Sequence, residues 1–191
     1  MALSLQKGGN VSLTKTAPGV EKFTVGLGWD ARTTDGAAFD LDAFALLLGA
    51  DGKIREEKDF VFFNNLSDSA GSVTHQGDNL TGEGDGDDEQ IIVDLSLIPA
   101  DVEKVVIAVA IFDADARSQT FGQVRNAAVR LVNTGTGSEE VRYDLSEDYS
   151  VETAVNFAEL YRNGAEWKFR AIGQGYSTGL AGVARDFGVA V

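Results

Sequence analysis

The chain is 191 residues long and sets 16 Lys and Arg against 30 Asp and Glu, a net charge of −14. It has no Cys, one His and two Pro, and 43% of its residues are apolar, enough to fill the core of one domain spanning 1–191. This composition excludes disulfide scaffolds, collagen-like repeats and thiolate or multi-histidine metal centres, and so negative a field repels phosphates, leaving cations rather than nucleic acid as the natural counterpart.

Met1 to Asn10 alternate apolar and polar side chains without a continuous apolar stretch, so no secretory signal is expected and the expected setting is cytoplasmic. Phe23, Val25, Leu27 and Trp29 alternate with Thr24, Gly26 and Gly28, the pattern of a half-buried strand. Leu41 to Leu48 and Phe60 to Phe63 read as strands covered on both faces, and Ser72 to His75 as a strand edge. Ile91, Val93, Leu95 and Leu97 alternate again before Pro99. The longest apolar run, Val105 to Phe112, is too short to span a bilayer and predicts a buried strand. Shorter strands are expected at 129–132 and 141–145, either side of a Thr-Gly-Thr-Gly turn. Val151, Ala154, Val155, Ala158 and Tyr161 recur at helical spacing, with Asp148 or Ser150 as N-cap and Asn163-Gly164 as the stop. Glu166 to Ile172 predicts one more strand, and Leu180, Val183, Ala184 and Phe187 a second helix, despite Gly179 and Gly182. The expected architecture is mainly β, a two-sheet β-sandwich with two short peripheral helices near the C-terminus.

The charge is unevenly spread. Residues 77–89 hold six carboxylates and four glycines in thirteen positions, with no base. Close carboxylates repel unless protonated or neutralised by a cation, and glycines let a loop fold back until its oxygens converge. Hard oxygen ligands without His or Cys select Ca²⁺ or Mg²⁺, and a flexible many-carboxylate loop favours the larger ion. A solvated acidic loop is the plainer alternative. The spacing is not that of an EF-hand: with Asp78 first, Leu80 and Gly82 fall on ligand positions and Glu83 where glycine is needed. A second cluster comprises Asp30, Asp35, Asp40 and Asp42. Asp40 and Asp42 share one strand face about 7 Å apart and lead into Phe44, Leu46 and Leu48, so they need pairing or a metal unless the strand end is exposed. Sandwich loops gather at two ends, where both clusters can meet. His75 is expected to be structural, and Asp113 and Asp115 to form a turn or pair with Arg117.

Lys7-Gly8-Gly9-Asn10, Leu27-Gly28-Trp29-Asp30, Phe39-Asp40-Leu41-Asp42, Phe63-Asn64-Asn65, the 77–89 loop, Asp113-Ala114-Asp115-Ala116-Arg117 and the ending Trp167 to Leu180 occur in this order. Together they resemble the TerD family of tellurite-resistance and stress-response proteins, over essentially the whole chain. The resemblance implies a calcium-binding β-sandwich, a bacterial cytoplasmic setting and a role in resistance to tellurite and related stresses. The acidic loop of that family matches Asp78, Asn79, Glu83, Gly84, Asp85, Asp87, Asp88 and Glu89; its strand entrance matches Asp40, Leu41 and Asp42, with Asp30 close by. These residues are expected to hold one or two Ca²⁺ ions.

No Ser–His–Asp set, nucleophile elbow or P-loop is present, and without Cys the chain lacks the thiols that tellurite reduction would require. The expected function is that of a non-catalytic calcium-binding interaction module whose partners are other stress-response proteins. Two readings compete: a calcium-dependent docking module for membrane or protein, of the C2 kind, which lacks a supporting basic cluster, and a metal-dependent hydrolase.

Overall fold

The computed structural model describes residues 2–30, 36–77, 86–145, 147 and 149–190. In chain order the elements are β1 (Leu3–Leu5), β2 (Asn10–Ser12), α1 (Leu13–Thr16), β3 (Lys22–Gly28), β4 (Leu41–Leu48), β5 (Phe60–Val61), β6 (Val73–His75) and β7 (Glu89–Asp94). There follow β8 (Lys104–Ile111), α2 (Ala114–Arg117), β9 (Ala128–Asn133), β10 (Glu139–Asp144), β11 (Ala154–Asn163), β12 (Glu166–Tyr176) and α3 (Gly179–Asp186). The strands form two six-stranded sheets, ordered β1-β10-β9-β3-β7-β6 and β2-β12-β11-β8-β4-β5. Every pairing is antiparallel except β1 with β10. The mainly β architecture expected from the sequence is the one that forms.

Alternation decides which side chains fill the space between the sheets. Phe23, Val25, Leu27, Ile91, Val93, Val129 and Leu131 of the first sheet meet Leu41, Ala43, Ala45, Leu47, Val105, Ile107 and Val109 of the second in one core. The second sheet is also covered on its outer face. There Phe44, Leu46, Leu48, Val106, Ala108, Ala110 and Ala154 pack with Val183 of α3 and with Ile54, Phe60 and Phe62. Burial of both faces is why β4 and β8 read as unbroken apolar runs while β3 alternates. Among the described residues no helix is long and apolar enough to cross a membrane.

Three expectations need correction. The helical spacing at 151–161 belongs to β11, a strand between β8 and β12. Its neighbours and the covered outer face bury both sides of the strand, so its apolar residues carry no period of two, and a bulge between Asn156 and Ala158 shifts the pattern further. Gly164, at φ 63°, is not a helix stop but the first central residue of the two-residue β11–β12 hairpin turn, where a II′ turn wants glycine. The 60–63 run forms only a two-residue edge strand, and Phe63 is 40% exposed. β7 ends at Asp94, whose carboxylate accepts from the Ser96 N–H and hydroxyl, and Leu97 lies outside the strand and exposed. The expected C-terminal helix is α3.

Candidate metal site at the loop rim

The register places one set of strand ends together. β3 ends at Gly28 opposite Ala128, where β9 begins; β7 begins at Glu89 opposite Leu27. In the second sheet β4 begins at Leu41 opposite Ile111, near the end of β8, and β11 begins at Ala154 opposite Tyr176. Hydrogen bonds tie the two sheets' connections into a single rim. The Asp30 N–H donates to the Arg125 carbonyl at 2.9 Å, and the Gln119 amide donates to the carbonyls of Ala37 and Ala38 at 2.8 and 3.2 Å.

The described parts of the two acidic segments, residues 86–89 and Asp30, Asp40 and Asp42, lie at these strand ends. Asp88 bonds the backbone just before Asp30: its Oδ2 accepts from the Trp29 N–H at 2.9 Å, while its own N–H donates to the Leu27 carbonyl at 2.8 Å. Burial pushes the Asp88 carboxyl above the ordinary carboxylate range; the Trp29 N–H opposes that shift and the neighbouring Asp87 charge adds to it. Asp88 and Asp87 line a cavity of about 350 Å³ whose other walls are Gln76, Gly77 and Gln90. Asp30, exposed, accepts from the Asn126 amide at 2.8 Å. Asn126 holds a left-handed backbone at φ 53° to do so, a conformation its short amide tolerates.

Asp40 and Asp42 are both buried, on the outer face of the second sheet with Phe44. The shared face and burial agree with the reading of the strand entrance. Asp40 lies 3.6 Å from the Arg117 guanidinium, which also stands over the Phe112 ring. The Asp40 carbonyl accepts from the Phe112 N–H at 2.8 Å. Leu41 points the other way, into the core between the sheets. Asp113 precedes α2 in the left-handed region at φ 51°, the turn expected there, and Arg117 pairs with Asp40.

Asp87 sits apart from Asp40 and Asp42. Its carboxylate lies on the outer face of the first sheet, where Arg130 grips it through Nε at 2.6 Å and Nη2 at 3.1 Å; Gln90 adds a 3.2 Å bond. Gly26 makes room for this clamp, because a Cβ there would overlap the Asp87 carboxylate. Arg130 is held further in its charged form by this bond and by Glu139. Glu89 turns inward, with an oxygen 3.1 Å from His75 Nε2, both side chains fully buried. The Gly77 N–H donates to His75 Nδ1 at 3.1 Å. Asp78, Asn79, Glu83, Gly84 and Asp85, with Asp35, lie outside the described residues. Among the described residues no three acidic or histidine side chains close into a metal-binding group.

Sequence reasoning missed the Arg130 clamp and the Trp29–Asp88 bond. The alternation of 128–133 does put Arg130 outward, across from Gly26, but only sheet register brings Asp87 to it. The Trp29 bond runs from a backbone N–H and leaves no side-chain signature.

Similar proteins supply the context. The TerD domain family model matches residues 1–187. The chain is 58% identical over 189 residues to tellurium resistance protein TerD of Serratia marcescens, covering 99% of this chain and 98% of that one. It is 55% identical to general stress protein 16U of Bacillus subtilis, covering 100% of both. These names describe resistance and stress, and neither states an enzymatic activity. Among solved structures, a protein titled as of unknown function superposes with a TM-score of 0.73 at 27% identity, over 91% of this chain and 99% of that one. A telluride resistance protein homologue from Streptomyces coelicolor gives 0.65 at 27% identity, over 83% and 91%. The chain belongs to the TerD domain family.

Proposed function

We propose that this chain is a non-catalytic calcium-binding stress-response protein of the cytoplasm, contributing to tellurium resistance by engaging other stress-response proteins. One or two Ca²⁺ ions bind at the loop rim, with ligands drawn from Asp78, Asn79, Glu83, Gly84, Asp85, Asp88 and Glu89 of the acidic loop and from Asp30, Asp40, Leu41 and Asp42. The observation that carries this reading is the Trp29–Asp88 bond at 2.9 Å, which ties the acidic 77–89 segment to the Asp30 side of the rim. The donors suit a hard cation: Asp40, Asp42 and Glu89 are buried carboxylates, Asp88 is strained by desolvation, and the chain has no thiol. The relatives' names support the stress role. Asp87, engaged by Arg130, anchors the end of the loop.

Calorimetric titration with Ca²⁺ tests the reading. Saturable heat is expected with calcium and far less with equimolar magnesium. Asp88→Asn and the Asp40→Asn/Asp42→Asn pair should weaken the same binding event. No heat and no thermal shift with either ion would overturn the metal reading; effects on two unrelated events would overturn the shared site.

A further inference from the structure

The strand ends remote from the rim hold a cavity of their own. There β3 begins at Lys22, β7 ends at Asp94 and β12 begins at Glu166, with α1 beside them. Together they surround about 280 Å³, against Leu13, Ala17, Val20, Leu95 and Trp167, with Glu21 as the one charged residue of the lining. The walls are fixed by short-range bonds. The Val20 N–H donates to the Ala17 carbonyl at 3.1 Å and the Leu95 N–H to the Glu21 carbonyl at 2.7 Å. The Trp167 N–H donates to the Thr14 hydroxyl at 3.1 Å. A hollow already formed in this way asks little ordering of a ligand that enters it.

Two side chains give the hollow its chemistry. Trp167 is half-buried, and the Arg162 guanidinium stands 4.5 Å over its ring while donating to the carbonyls of Val102, Ile98 and Pro99. That clamp holds the indole as a fixed aromatic wall. Glu21 is exposed, and among the described residues its carboxylate has neither an ion pair nor a hydrogen bond. Other acids at this end are engaged: Glu166 pairs with Lys15 at 2.6 Å, and Asp94 accepts from the Ser96 hydroxyl. An unengaged carboxylate beside an apolar hollow complements a cation carried on an apolar body, and the net charge of −14 draws such a cation in.

We propose that this cavity binds a small organic amine, its apolar body against Trp167 and Leu95 and its ammonium group at Glu21. A ring in the ligand gains an aromatic contact with the indole beyond the area it buries. The volume lies just under the roughly 300–1,000 Å³ of drug-sized pockets, which suits a small molecule. The site needs no metal and stands at the far end of the strands from the rim, so it is independent of the calcium reading.

Calorimetric titration of the whole chain with three probes of one apolar body tests this: phenethylamine, phenethyl alcohol and phenylpropionate, each with and without chelator. The amine should bind saturably in both conditions. The alcohol should bind about fivefold more weakly, the margin of an exposed ion pair, and the acid should give no saturable heat. Glu21→Gln, at an exposed position, should bring the amine down to the affinity of the alcohol without changing the melting temperature. Methyl NMR of the unaltered chain should show amine-induced shifts at Leu13, Val20 and Leu95. Equal affinity for amine and alcohol, or an unchanged amine affinity in Glu21→Gln, overturns the cationic class of ligand. Absence of saturable binding, shifts confined to methyl groups at the rim, or binding that chelator removes overturns the site.

Discussion

Two sets of buried acids face opposite circumstances in this fold. Asp59, fully buried, is gripped by Arg55 four residues earlier, through Nη2 at 2.8 Å and Nε at 2.9 Å, and caps the Arg55 N–H as well. The guanidinium charge is held more firmly than usual in return. Asp59 is thus settled by a partner on the same stretch of chain, which also pairs with the more exposed Asp101. At the rim, buried Asp40, Asp42 and Glu89 and half-buried Asp88 arrive from separate segments, with Asp40 3.6 Å from Arg117 and Glu89 3.1 Å from His75. Asp59 is neutralised within its own stretch of chain, whereas the rim acids depend on partners brought by sheet register and are where a cation from solution is proposed to bind.

The largest expected effect sharpens the first half of that contrast. Asp59→Ala leaves Arg55 with Asp101 alone and removes a backbone cap, and should cost about 3 kcal/mol in denaturant unfolding. Calcium comes next. At a hundred times its dissociation constant it should add about 2.7 kcal/mol, a rise of roughly 5–10 °C in melting temperature for a chain this size; an equal rise in Asp40→Asn/Asp42→Asn would break the comparison. Gly26→Ala forces the Asp87–Arg130 clamp aside and should cost about 1–3 kcal/mol, as overpacking does, read from the same unfolding curves. The smallest effect has the most telling sign. Because the folded Asp88 carboxyl titrates above its unfolded value, the calcium-free protein should lose stability as pH rises from the ordinary carboxyl range through that raised value. Asp88→Asn should flatten this part of the pH profile, raise calcium-free stability at neutral pH and shrink the calcium increment.

The paired acids of the strand entrance were legible because a strand's period of two puts Asp40, Asp42 and Phe44 on one face wherever the strand lies. The 151–161 segment was not, since a strand buried on both faces has no alternation to read and its apolar spacing imitates a helix. Phe60 to Phe63 failed for the opposite reason: an apolar run says nothing of whether it lies in the middle of a sheet or at its edge.

By itself the sequence determined the β composition, the alternating core of β3, the double burial of β4 and β8 and the placing of excess acid in two segments, all local consequences of pattern and charge. Only the tertiary structure decided which acid meets which partner. Asp87 found Arg130, Glu89 found His75 and Asp88 found the Trp29 backbone, because sheet register brings together residues 14 to 59 positions apart. Long-range pairing carries no local signal, so a chain can declare its charge and its strands without declaring what they face.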